Sequence, residues 1–125
     1  MTRLESLCAA IQKNEGWYPL SRSWRNNNPG NLRSSPFASS ARGGFAQFAN
    51  YASGWLALWW DVWMKCQGRT RTGLTPNSTL LDLATAWAPA SDGNHPAAYA
   101  AKLAAQLQIS IYTRLEYFLY DAPKT

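Results

Sequence analysis

The sequence predicts a mainly α, α+β fold in a single domain spanning residues 1–125, with helices around one central hydrophobic helix and a small loop-and-hairpin lobe inserted after the first helix. Three observations support this. Apolar residues recur at helical intervals in separate segments, residues 51–67 are apolar on almost every side, and the interval between residues 16 and 44 is rich in Asn, Gly, Pro and Ser with no apolar period.

Residues 2–15 read as the first helix: Thr2 and Glu5 have capping-box spacing, Leu4, Leu7, Cys8 and Ile11 share one stripe, and Gly16 is a natural stop. The long loop that follows is expected to hold at most a short hairpin, with Gly44-Phe45-Ala46-Gln47-Phe48 as one strand. Trp55, Leu56, Leu58, Trp59, Trp60, Val62 and Trp63 make the 51–67 helix the expected axis of the core, with most of its tryptophans buried. A third helix is read at about residues 79–88, with Leu80, Leu81, Leu83 and Trp87 inward, and a fourth from Pro96 through Leu107, where proline suits the first helical position. The stretch from Ile109 to Tyr120 is expected to add a last short helix.

Composition narrows the function classes. Hydrophobic residues make up 46% and charged residues 15%, with seven Trp, six Tyr and four Phe, which excludes disordered, collagen-like and coiled-coil classes. Twelve Lys and Arg against seven Asp and Glu give a net charge of +5, and Arg22, Arg25, Arg33 and Arg42 cluster in the loop, so an anionic or wall-like partner suits the surface. The apolar run at residues 55–64 is interrupted by Asp61 and is too short to span a bilayer, and Glu5, Lys13 and Glu15 break any signal-peptide h-region. The expectation is a chain made in the cytoplasm without a signal peptide and without membrane insertion. Cys8 and Cys66 lack further Cys or His at ligand spacing, so no metal and no cofactor are expected; buried free thiols and a disulfide both stay open for the pair.

The chemistry centres on Glu15. Stepping along the first helix keeps it on the stripe of Leu4, Leu7, Cys8 and Ile11, which turns a carboxyl inward among apolar groups. Such surroundings disfavour the charged form and leave a glutamic acid able to donate a proton near neutral pH; a lysozyme glutamate beside a tryptophan is the known precedent. Trp17 and Tyr18 follow at once and could fold over it. A frayed last turn with the carboxyl in solvent fits the same pattern, and the residues leave both readings open. Of the other acids, Glu5 and Asp82 suit helix starts, Asp61 needs a cation such as Lys65, Arg69 or Arg71, and Asp92 is the one candidate for a second acid, though a turn role before Gly93 also explains it. The single His95 gives neither a triad nor a metal cluster. Trp17, Tyr18, Trp24, Tyr51 and Tyr99 are candidates for an exposed aromatic surface, with a core role equally open to each.

The order of four motifs adds a family. N-E-G-W at 14–17, R-N-N-N-P-G-N-L-R at 25–33, F-A-Q-F-A-N-Y-A-S-G-W at 45–55 and W-A-P-A-S-D-G-N-H-P-A-A-Y at 87–99 together resemble the small lysozyme-like glycosidases of phages and prophages, a group that includes endolysins and virion-associated lytic transglycosylases. The resemblance runs from about residue 10 to 108. It implies a lysozyme-like fold, with a helical lobe, a small loop-and-hairpin lobe and a glycan-binding cleft between them. It also implies a general-acid role for Glu15, a cleft-shaping role for Asn28, Pro29, Gly30 and Asn31, and substrate contacts from Trp17, Asn28, Asn31, Gln47, Phe48, Asn94 and Tyr99.

The implied activity is cleavage of the β-1,4 bond between N-acetylmuramic acid and N-acetylglucosamine in peptidoglycan, by a lytic transglycosylase or a muramidase using one glutamate. The implied partners are peptidoglycan glycan strands, with a holin or a larger phage assembly giving access to the cell wall, or periplasm, where the enzyme would act. Two other classes compete. One is a catalytically inactive glycan-binding structural protein of a phage or secretion assembly. The other is a basic nucleic-acid binder, for which the chain supplies charge but no recognised motif, so no nucleic-acid partner is expected.

Overall fold

A computed structural model describes residues 1–124. The elements in chain order are α1 (Arg3–Asn14), α2 (Arg22–Arg25), β1 (Ser40–Arg42), β2 (Phe45–Gln47), α3 (Tyr51–Gln67), α4 (Leu80–Trp87) and α5 (Pro96–Leu107), with 3₁₀ turns at Ala90–Asp92 and Leu115–Leu119. The chain is mainly helical, with one two-stranded antiparallel sheet.

Helices α1 and α4 start where their side chains supply hydrogen bonds that the first turn lacks, and α5 starts on a proline, which has no N–H to leave unpaired. Thr2 and Glu5 close a capping box on α1, Thr79 and Asp82 close a second on α4, and Pro96 opens α5. The first N–H groups of α4 are also taken up by the chain end: Leu80 N donates to Thr113 O and Leu81 N to Ile111 O, at 2.9 and 3.0 Å. That anchoring holds the residues after α5 in turns, with one antiparallel bridge from Arg114 to Thr79, up to a 3₁₀ turn whose Leu115 and Phe118 are both buried, so the expected last helix shrinks to Leu115–Leu119. Helix α2 is a single turn, capped by Ser21, inside the segment read as loop. Four residues are too few to show a period.

The main core joins Leu4, Leu7, Cys8 and Ile11 of α1 to Leu58, Val62 and Cys66 of α3, with Leu80, Leu83, Leu103, Leu115 and Phe118 completing it. Both cysteines are buried free thiols, and burial pushes the Cys66 thiol up to about 12, so neither is a ready nucleophile. A second, smaller cluster of Ala46, Phe48 and Ala57 fastens the hairpin to the other side of α3. Helix α3 is therefore the axis, as its composition suggests, but it is not buried all round. Leu56 is exposed, and Trp55, Trp59 and Trp63 are half-buried against the main core rather than inside it. Among the described residues, no helix is long and apolar enough to cross a membrane.

The loop lobe has more order than its composition implies. Arg42 pairs with Phe45 across Gly43 and Gly44, both at positive φ, the backbone that closes a two-residue hairpin. Asn27 and Asn31 also take positive φ, 51° and 49°, a conformation asparagine tolerates better than most residues. Asn28 is fully buried. Its Nδ2 donates to the carbonyls of Leu32 and Ala46 at 2.8 and 3.0 Å, and its Oδ1 accepts from Leu32 N at 2.9 Å. Asn27 Nδ2 donates to Phe48 O, Phe48 N donates to Asn26 O and Gln47 Nε2 donates to Asn26 Oδ1. The Asn-rich loop is thus sewn to β2, which fixes where Gly30, Asn31, Leu32 and Arg33 emerge.

Candidate active site

A cleft of about 630 Å³ is lined by Asn14 and Glu15 at the end of α1, by Gly30–Ser34 and Phe45 from the loop and hairpin, and by Asp61, Lys65, Trp87, Asp92, Asn94 and Tyr99 from the helical side. Glu15 is the C-cap of α1. Its N–H still donates to Ile11 O at 2.9 Å, so the backbone is held while the side chain points off the helix end into the cleft.

Two donors meet one oxygen of that carboxyl. Tyr99 Oη, on the first turn of α5, donates to Glu15 Oε2 at 2.7 Å, and Trp87 Nε1, the last residue of α4, donates to the same oxygen at 3.3 Å. Burial raises the Glu15 pKa above the ordinary carboxylate range; the bonds from Tyr99 and Trp87, the Asn31 side chain and the Arg22 charge pull the other way without cancelling it. Tyr99 is half-buried, and desolvation followed by the adjacent carboxylate pushes its phenol far up, so it stays a neutral donor. The arrangement is a carboxyl biased toward its acid form, oriented through one oxygen.

The other acids differ. Asp61 is paired with Lys65 one turn along α3, and the Lys65 ammonium lies 5.2 Å from the centroid of the Trp87 ring. Asp92, in the 3₁₀ turn, is exposed at the cleft edge. Among the described residues, no group of three or more His, Cys, Asp or Glu could hold a metal ion.

Of the residues expected to contact substrate, Asn31, Asn94 and Tyr99 line the cleft with Glu15. Asn94 Nδ2 also donates to Pro89 O at 3.3 Å, which ties its loop to the end of α4. The other four do not line it, and each has a physical reason. Trp17 leaves α1 after Gly16 and packs on Tyr51, ring centroids 5.1 Å apart, instead of folding over Glu15. Asn28 commits both its N–H donors and its side-chain oxygen to backbone of the loop and of β2. Gln47 bonds to Ser40 and Asn26, and Phe48 points into the small cluster beneath the hairpin.

Sequence reasoning missed Trp87 as a partner of Glu15, and it missed Arg22, Arg33 and Phe45 as cleft residues. An inward indole at the end of a helix needs an acceptor for its N–H, and that signal was legible at Trp87. No protein-family model, curated protein or solved structure matches this chain.

Proposed function

We propose that this protein is a lysozyme-like glycosidase that cleaves the β-1,4 bond between N-acetylmuramic acid and N-acetylglucosamine in peptidoglycan, with Glu15 as its general acid. The observation that carries the reading is the Glu15 carboxyl itself: raised in pKa by burial, bonded through Oε2 by Tyr99 and Trp87, and opening on a cleft lined by amide side chains. In this mechanism Glu15 gives its proton to the glycosidic oxygen as the C1–O bond breaks, and positive charge develops on the sugar ring. The Glu15 carboxylate so formed is stabilised by the two donors already in place, with no reorganisation. It next takes a proton from the attacking hydroxyl. If that hydroxyl is the sugar's own 6-hydroxyl, the product is a 1,6-anhydro end; if it is water, the product is a reducing end.

Two features favour a single-acid route over a carboxylate pair. Asp61 is neutralised by Lys65, and Asp92 stands exposed in a turn. Asn14 Nδ2 and Asn31 Oδ1 are buried beside the cleft with no partner among the described residues, a donor and an acceptor on two lining side chains; small side-chain rotations would offer them to the C=O and N–H of an N-acetyl group.

Mass spectrometry of the fragments released from purified peptidoglycan tests the reading. Anhydro-muramic ends, about 18 mass units below hydrated ones, identify a transglycosylase using Glu15 twice, and reducing ends identify a hydrolase. Release of no fragment overturns the enzymatic reading and leaves a glycan-binding protein. A further expected result concerns Tyr99→Phe. Removing a donor that stabilises the carboxylate raises the Glu15 pKa further, so the alkaline limb of the pH–rate profile, where the acid loses its proton, moves to higher pH. A limb that stays in place would show that the Tyr99 bond does not tune the acid.

A further inference from the structure

The cleft has a positive side whose one effect on the proton-transfer chemistry is the Arg22 charge that pulls the Glu15 pKa down against burial. The guanidinium carbon of Arg22 lies 3.8 Å from the centroid of the Phe45 ring and that of Arg33 lies 4.9 Å from it, so a single ring holds two positive charges. All three residues line the cleft with Glu15. The placement is built in. Arg22 is fixed at the start of α2, Phe45 opens β2, and Arg33 leaves the stitched Asn loop with its Nη1 3.8 Å from where a Cβ at Gly44 would stand.

Neither guanidinium forms an ion pair with a carboxylate or a hydrogen bond among the described residues. The nearby acids are otherwise engaged: Asp61 is bonded to Lys65, Glu15 to Tyr99 and Trp87, and Asp92 lies at the cleft edge, pairing with neither arginine. Two like charges on one ring repel each other, and each guanidinium keeps a full set of donors suited to a planar oxyanion. An anion between them removes the repulsion and engages donors that now face solvent.

We infer that Arg22 and Arg33, seated on Phe45, form a carboxylate-binding subsite of the cleft, selecting glycan strands that carry a carboxylate next to the sugar being cut. This rests on the glycosidase reading above. Muramoyl sugars have such carboxylates in two places: on the lactyl group itself where the stem peptide has been removed, and on the peptide where it remains. Both present the same chemistry to the arginines. A strand built of N-acetylglucosamine alone presents none.

The test measures binding of Glu15→Gln protein, which holds glycan without turning it over, to three ligands: peptide-bearing strands, peptide-free strands with free lactyl carboxylates, and an N-acetylglucosamine hexamer. Carboxylate-bearing strands should bind about tenfold more tightly than the neutral hexamer, with the advantage shrinking as salt rises. Adding Arg33→Gln or Arg22→Gln should remove most of that advantage while leaving hexamer binding unchanged. Arg33→Lys, which keeps the charge but loses the fork, should restore part of it. A preference for peptide-free strands assigns the lactyl carboxylate, and a preference for peptide-bearing strands assigns the stem peptide.

Equal affinity for the hexamer, or a preference that survives both glutamine substitutions, overturns the subsite while leaving the glycosidase reading intact. Cleavage assays on wild-type protein separate the two failures, because loss of the subsite alone leaves glycan cutting in place. If no glycan is bound or cut, both fall. Tighter binding of a DNA oligonucleotide than of any glycan replaces the carboxylate with a phosphate backbone and overturns the inference.

Discussion

Glu15→Gln should lower peptidoglycan cleavage by about 10²–10⁴-fold, the range general acid catalysis supplies, while leaving the fold and glycan binding in place. Gln keeps the shape of Glu and an oxygen to accept from Tyr99 and Trp87, so the loss isolates the proton. The same substitution should raise the melting temperature near neutral pH. Burial holds the Glu15 pKa in the folded protein above its unfolded value, so the unfolded chain releases this proton first as pH rises. Below the ordinary carboxylate range the group is protonated in both states and imposes no penalty. Through the window between the unfolded and the raised folded pKa, the wild-type protein loses stability that the Gln variant keeps. The two melting curves should therefore coincide in acid and separate toward neutral pH. A constant offset at every pH would mean that the carboxyl is not desolvated, and full activity in the variant would remove Glu15 from the mechanism. Activity gained at the expense of stability is a common feature of sites that hold a charge-bearing group out of water.

What the chain discloses in advance depends on how local the signal is. Helices α1, α4 and α5 were legible because Thr2 with Glu5, Asp82 beside the inward Leu80, Leu83 and Trp87, and Pro96 announce them within a few residues. The position of Glu15 could be read from helical phase, though phase alone left the carboxyl free to point to solvent. Its closure comes from Trp87 and Tyr99, far along the chain on two other helices. The Asn-rich loop shows the opposite limit. Asn28 and Asn31 stand three positions apart in one motif, yet one is sealed against backbone and the other lines the cleft. An asparagine's type tells that it needs partners, not whether they are peptide groups or substrate. Arg22 and Arg33 were visible only as charge. Their convergence on Phe45 depends on the hairpin folding back over the loop, a long-range event that leaves no periodic trace.

Gly54→Ala should destabilise the protein by about 3 kcal/mol, a drop of roughly 10 °C in melting temperature, and lower cleavage along with it. Propensity alone gives the opposite sign. Gly54 lies inside α3 with ordinary helical backbone, where alanine is favoured over glycine by about 1 kcal/mol. The surroundings reverse the balance. A Cβ at this position would stand 1.8 Å from the Asn27 carbonyl oxygen and 2.9 Å from Cδ of Pro29, and the oxygen belongs to backbone that cannot swing aside as a flexible side chain would. The Asn loop rests directly on the helix axis at this point. Making room for one methyl group lifts residues 27–29, strains the bonds from Asn27 to Phe48 and from Asn28 to Ala46, and moves Asn31 and Arg33 relative to Glu15. Gly73→Ala is the matching control: its φ of +83° disfavours alanine by about 1–2 kcal/mol, but among the described residues no atom beyond its own chain neighbours lies within 4 Å of the new Cβ, so stability should fall by less than at Gly54 and cleavage not at all. If Gly54→Ala melted at or above the wild-type temperature with activity intact, the loop would not be seated on α3 as closely as the structure has it, and the cleft would owe its shape to the hairpin alone.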